Sequence, residues 1–165
     1  MKHLVISFVG QDRPGLVDTL SNIISRYNAN WQASSMHQMS GLFAGVLEVA
    51  IENEHVDTLR ADIEAITDFD SVIKVATVEA PSSKANIVLE LTANDRAGIV
   101  QEISSVIHQQ GGNLLKLVSV QESAAHSGHT LFKAKASIAI NDDLTTPLID
   151  ALENLADDLM VDISR

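Results

Sequence analysis

Two short strings carry the residue types that could hold a small anion. Gln11 to Leu16 reads QDRPGL and Asn94 to Ile99 reads NDRAGI, each after an apolar run and before a stretch with helical spacing. At a strand-to-helix junction several backbone N–H groups lack partners and the positive end of the helix dipole is close, which suits a carboxylate. Gly15 and Gly98 would let a ligand approach the backbone without meeting a Cβ. The same strings also serve as plain helix starts, with Asp12 as a capping or dipole-complementing acid. His126 and His129 in SAAHSGH are the nearest approach to a metal-ligand pair. Without cysteine or a nearby carboxylate cluster they make a poor zinc site, and an exposed turn is expected. His37 and His108 read as packing or surface residues. No Ser, His and Asp arrangement follows from local spacing and no P-loop is present, so no catalytic residue, metal or cofactor is expected.

The two strings belong to a longer echo. LVISFVGQDRPGLV, from Leu4 to Val17, returns as IVLELTANDRAGIV, from Ile87 to Val100, at a constant offset of 83 residues. Asp12, Arg13, Gly15 and Val17 thus match Asp95, Arg96, Gly98 and Val100. One folding unit is used twice, over 1–80 and 86–165, with a short linker broken by Pro81, Ser82 and Ser83.

In the first copy, Leu4 to Val9 reads as a buried strand ended by Gly10. Leu16, Leu20, Ile23, Ile24 and Tyr27 form a helical stripe, with Pro14 in its first turn. Strands follow at about Ala29 to Met39 and Leu42 to Ile51, joined as a hairpin at Ser40 and Gly41. Then come a helix carrying Val56, Leu59, Ile63 and Ile66 and a strand from Val72 to Val78. The second copy repeats the order: a strand at Ile87 to Thr92, then a helix with Ile99, Ile103, Val106 and Ile107 inward. Strands at Asn113 to Glu122 and Thr130 to Ile140, a helix with Leu148, Leu152 and Leu155, and a strand at Leu159 to Ile163 complete it. Phe43 and Phe132 stand 89 apart, so the second hairpin carries six extra residues. Strand, helix, strand, strand, helix, strand is the split βαβ plan, so the fold class is α+β: two ferredoxin-like domains, each an antiparallel sheet with helices on one face. The acids Asp57, Asp62 and Glu64 read as a wet helix face. Trp31 reads as core or inter-domain packing, or as the wall of a ligand pocket.

The chain has 165 residues, 45% hydrophobic and 20% charged, and a net charge of −11. The acid is spread evenly, with 5 basic and 11 acidic residues in 1–80 and 6 and 11 in the remainder. Neither half is a basic module, which argues against a direct grip on DNA or RNA. No apolar run approaches the roughly 20 residues of a membrane span, and the N-terminus shows no signal-peptide cleavage site. The absence of cysteine fits a reducing compartment, and a cytoplasmic location is expected.

DRPGL with the helix after it and YNANW leading into the second strand, together with DRAGI and GGNLL in the second copy, resemble the ACT family of small-molecule-binding regulatory domains. The resemblance covers nearly the whole chain, and the tandem arrangement is most similar to the glycine cleavage system transcriptional repressor group. It implies amino-acid binding at an interface between two units, near the first loop and the start of the second strand. The implied contacts are Asp12, Arg13, Gly15, Leu16 and Asn30, with Asp95, Arg96, Gly98, Ile99 and Asn113. It further implies a glycine-responsive regulator acting through a DNA-binding activator protein, with no chemistry done on the ligand and no membrane partner. Ala97 replaces Pro14 in the second copy, and Gly10 and Ala93 stand where some amino-acid-binding relatives carry a polar side chain. These departures keep open a ligand-independent interaction module. A stand-alone relative of the N-terminal part of formyltetrahydrofolate deformylase is the other alternative, although enzyme activity is not expected. Exposed edges of the middle strands favour pairing into a continuous sheet and a homo-oligomer.

Overall fold

A computed structural model describes residues 1–76, 84–126 and 128–164. The chain divides into two compact units, 1–81 and 82–165, and each is taken by itself. Residues 81–83 of the expected linker lie outside the described residues, as do Thr77 and Val78 of the expected fourth strand.

The first unit runs β1 (Lys2–Gln11), α1 (Leu16–Arg26), β2 (Asn30–Met39), β3 (Leu42–Ile51), α2 (Val56–Glu64) and β4 (Phe69–Ala76). Its sheet has the order β2-β3-β1-β4, antiparallel throughout. The second runs β5 (Ile87–Asn94), α3 (Ile99–Gln109), β6 (Asn113–Ser123), β7 (Thr130–Ala139), α4 (Thr145–Glu153) and β8 (Met160–Ser164), with the order β6-β7-β5-β8. Each is the split βαβ plan. A 3-10 turn leads into α2 at Asn53–His55 and into α4 at Asp142–Leu144.

Strand alternation meets helical periodicity in each core. Leu4, Ile6 and Phe8 point inward from β1 and meet Leu16, Leu20, Ile23 and Ile24 of α1, Leu47, Val49 and Ile51 of β3, and Leu59 and Ile63 of α2. The second core repeats this with Leu89, Leu91, Ile103, Ile107, Ile138, Leu148 and Leu152. Truncating a fully buried member such as Leu59 to alanine would cost about 2–5 kcal/mol.

Several boundaries differ from the sequence reading, each for a local reason. β1 is buried on one face only, because no layer covers Val5 and Val9, which are 39% and 47% exposed. Gly10 does not end β1; it pairs with Phe43 and Phe69 inside the sheet. A Cβ there would sit 2.5 Å from the Cβ of Phe69 and closer still to the Asp68 carbonyl, so glycine marks a close approach. Pro14 lies outside α1, since the left-handed Gly15 (φ 88°) must close the turn before helical geometry begins. Tyr27, Ile66 and Leu155 fall just past their helices yet still pack on the cores. β4 starts three residues early, at Phe69, whose ring packs on Phe8 at 5.2 Å between centroids. Asp62 is not part of a wet face, because its carboxylate accepts a hydrogen bond from the Tyr27 hydroxyl and ties α2 to the end of α1.

Candidate functional site

The β1–α1 loop is shaped by its backbone. Asp12 N–H donates to the Gly41 carbonyl (3.2 Å), fixing the loop's start to the β2–β3 hairpin. Gly15 then takes φ 88° and ψ 4° as the N-cap, a conformation that costs glycine nothing and an L residue about 1–2 kcal/mol. Thr19 N–H makes the first helical bond, to Gly15 O at 2.9 Å, so the N–H groups of Leu16, Val17 and Asp18 have no helical partner. No side chain caps them; Asp12 is not the N-cap residue. Gly98 takes the same conformation in the second unit with φ 86°, Glu102 N–H bonding to Gly98 O at 3.0 Å, but there the Ile99 N–H also reaches the Arg96 carbonyl at 3.4 Å.

An open depression lies beside each loop. The first, of about 360 Å³, is lined by Asp12, Arg13, Gly15, Leu16, Val17, Asp18 and Phe43. The second, of about 610 Å³, is lined by their counterparts Asp95, Arg96, Gly98, Ile99, Val100, Gln101 and Phe132, with Ser104 added. Leu16 and Ile99 belong to the cores and form the floors. A Cβ on Gly15 or Gly98 would meet nothing within 4 Å, so both glycines face open space. The depressions can receive a small group that accepts hydrogen bonds at one end and rests an apolar surface on phenylalanine.

Charges are arranged differently in the two copies. Arg13 donates to Asp68, in the turn before β4, and to the Pro14 carbonyl at 3.2 Å. The matching acid Asp158 instead accepts from the Asn94 backbone N–H at 2.7 Å. Arg96 turns to Glu102 on α3, and its hydrogen bond holds the Glu102 carboxyl below the ordinary carboxylate range against the opposing effect of desolvation. Asp95 accepts from Gln121. Both arginines therefore have acidic partners, and the first depression carries Asp18 where the second has neutral Gln101.

Asn30 and Asn113 are not brought to the loops of their own units. Asn30 pairs with Ala50, and Ala50 with His3, at one end of the sheet; Met39 pairs with Leu42, and Leu42 with Gln11, at the other. Nine residues of strand separate the two ends, about 30 Å. Asn113, opposite Ala139, is as far from the loop that Thr130 anchors. Trp31 follows Asn30 at that far end, half-buried on the core of its own unit.

Phe43 and Phe132 line the depressions although the loop strings do not mark them; their recurrence in both hairpins is the signal the sequence holds. Asp68 and Asp158 lie far from the loops in sequence, and no local pattern marks them. His126 and His129 sit in an exposed turn, and among the described residues no group of three or more His, Asp or Glu side chains could share a metal ion. Among the same residues no helix is long and apolar enough to cross a membrane.

A family model described as the ACT domain matches residues 2–73. A UPF0237 protein of Methanocaldococcus jannaschii is 39% identical over 66 residues, spanning 39% of this chain and 73% of that protein. One from Methanopyrus kandleri is 32% identical over 66 residues, with the same shares. Among solved structures, an unknown protein from Galdieria sulphuraria matches at a TM-score of 0.82 and 24% identity, over 99% of this chain and 97% of that one. A protein provisionally described as a glycine cleavage system transcriptional repressor matches at 0.73 and 17% identity, over 99% and 98%. At these identities the structural likeness is one of fold, and it extends over both units.

Proposed function

Because the chain belongs to the ACT domain family, we propose that it is a regulatory protein that binds a free amino acid at its β1–α1 and β5–α3 loops and does no chemistry on it. The observation that carries this reading is the recurrence of one depression in both units, with a left-handed glycine, helix N–H groups without helical partners and a phenylalanine in matched places. A carboxylate suits the N–H groups, and an ammonium suits Asp12 or Asp95. Asn30 and Asn113 enter only if the ligand is held by two units, one giving its loop and the other the start of its second strand, since a single unit keeps these about 30 Å apart.

Glycine is the first ligand to try. The repressor with the same fold motivates it. A net charge of −11 disfavours direct DNA contact, so regulation would pass through a DNA-binding activator protein. Ligand-dependent preference for one of two arrangements supplies the switch. A cytoplasmic location fits this role.

Calorimetric titration of the purified chain with a panel of amino acids tests the reading. Saturable binding that weakens in Gly15→Val and Gly98→Val is expected. No heat at millimolar concentrations of any amino acid would remove the sensor. A ligand-independent interaction module is favoured by one observation, that both loop arginines already have acidic partners. Regulation that survives loss of amino-acid binding would establish it.

A further inference from the structure

Duplicated units share their cores but differ on the sheet face that no helix covers. In the first unit this face carries Val5, Ser7 and Val9 of β1, Ala44, Val46 and Glu48 of β3, Ser35 and His37 of β2 and Val72 of β4, as the cross-strand register requires, with Glu48 bonded to His3 at 2.9 Å toward one end. Val5, Val9, Val46 and Val72 are 39–57% exposed. At the matched places the second unit has Glu90 for Ser7, Thr92 for Val9, Lys133 for Ala44, Lys135 for Val46 and Asp162 for Val72. One sheet face is thus apolar at its centre, and its duplicate is charged there, with Val118 in the place of Ser35. Common descent explains the shared core; an apolar open face kept on one copy calls for a cover.

We propose that this face of the first unit is a self-association surface, covered by the same face of a second copy of the chain. The charged counterpart is a poorer cover, because packing it on valine would take Glu90, Lys133, Lys135 and Asp162 out of water against an apolar surface. A second copy brings valine, alanine and serine to the centre, with Glu48, Asp70 and Lys74 beside Val5 and Val9. Two such sheets can pack about 10 Å apart in the aligned manner of a β-sandwich. Four strands by about eight residues give roughly 500 Å² per copy, or about 1,000 Å² in total. That is close to the lower bound of about 1,000 Å² for a specific interface.

The rim charges favour one two-fold arrangement. Ser7 pairs with both Val46 and Val72, while Val5 pairs with Lys74 and Val9 with Asp70. An axis between the sheets, running across the strands at the level of Ser7, lays each strand over its own copy with the ends exchanged. Val72 then meets Val72 of the second copy, Val5 meets Val9, and Asp70 meets Lys74 twice. The Asp70 and Lys74 charges are self-complementary under the operation an isologous dimer needs, while Glu48, held by His3, falls over Ala44 of the second copy. This inference is independent of amino-acid binding at the loops.

Sedimentation equilibrium of the full chain tests it. Wild type at high micromolar concentration is expected to show twice the mass of one chain. Val46→Lys should reduce this to the single-chain mass with an unchanged thermal melt, because Lys135 occupies the matched place in a sheet with the same fold. Asp70→Lys and Lys74→Asp should each weaken association about tenfold or more through like-charge contact, and the double exchange should restore it. A wild-type chain of single mass, or a dimer that persists in Val46→Lys, would overturn the proposal. A double exchange that fails to recover would overturn the two-fold register.

Discussion

Thr145 shows how the repeat makes single residues interpretable. It is 3% exposed at the start of α4, its hydroxyl has no hydrogen-bond partner among the described residues, and the matched residue at the start of α2 is Val56. Thr145→Val removes a buried polar atom at nearly constant volume and should stabilise the chain by about 1 kcal/mol in denaturant unfolding. A loss of stability would mean that the hydroxyl is satisfied. Tyr27 is the only tyrosine in the chain, so its ionisation can be followed by ultraviolet absorbance. The hydrogen bond to the Asp62 carboxylate, then desolvation, raise its pKa above the ordinary 10.0. A folded-state pKa above the unfolded one contributes stability that is fully present below pH ~10 and is lost as pH rises through the folded value. Titration should therefore place the transition above that of free tyrosine, and Asp62→Asn should bring it down; an ordinary value in wild type would contradict the bond. At this scale the sequence was only partly legible. Gly15 and Gly98 announce themselves, whereas Asp68 and Asp158 reach their loops only through folding.

The order of strands and helices was legible because inward residues keep a period of two in β1 and β5 and a helical stripe in α1 and α3. Element ends were less so, since they depend on tertiary partners. β4 begins at Phe69 because its ring meets Phe8, and β1 continues through Gly10 because Phe43 and Phe69 offer pairing on both sides. The reading of Pro14 as a helical residue failed because Gly15, in the left-handed region, separates it from α1. Pro14 and Ala97 occupy the same place before the capping glycine in the two copies. Ala97→Pro should accordingly stabilise the second unit by about 0.4–1 kcal/mol by restricting its unfolded chain. Thermal unfolding checks this, and a lower melting temperature would show that the two loops differ in backbone.

Two cores of the same design, a net charge of −11 spread evenly over both, and one recurring depression describe a duplicated folding unit. Its halves have diverged in the charges beside the loops and on the open sheet faces. The candidate site was legible as a pair of loops because local backbone chemistry makes it. Asn30 and Asn113 could not be placed by sequence alone, because the helix after each loop returns the chain to the opposite end of the sheet. Titrating the nitrogen-15-labelled chain with glycine, followed by amide resonance shifts, tests amino-acid binding at the loops most directly. Saturable shifts centred on Gly15 to Asp18 and Gly98 to Gln101 are predicted. Unmoved loop amides at millimolar glycine, and at millimolar levels of every other amino acid tried, would contradict it.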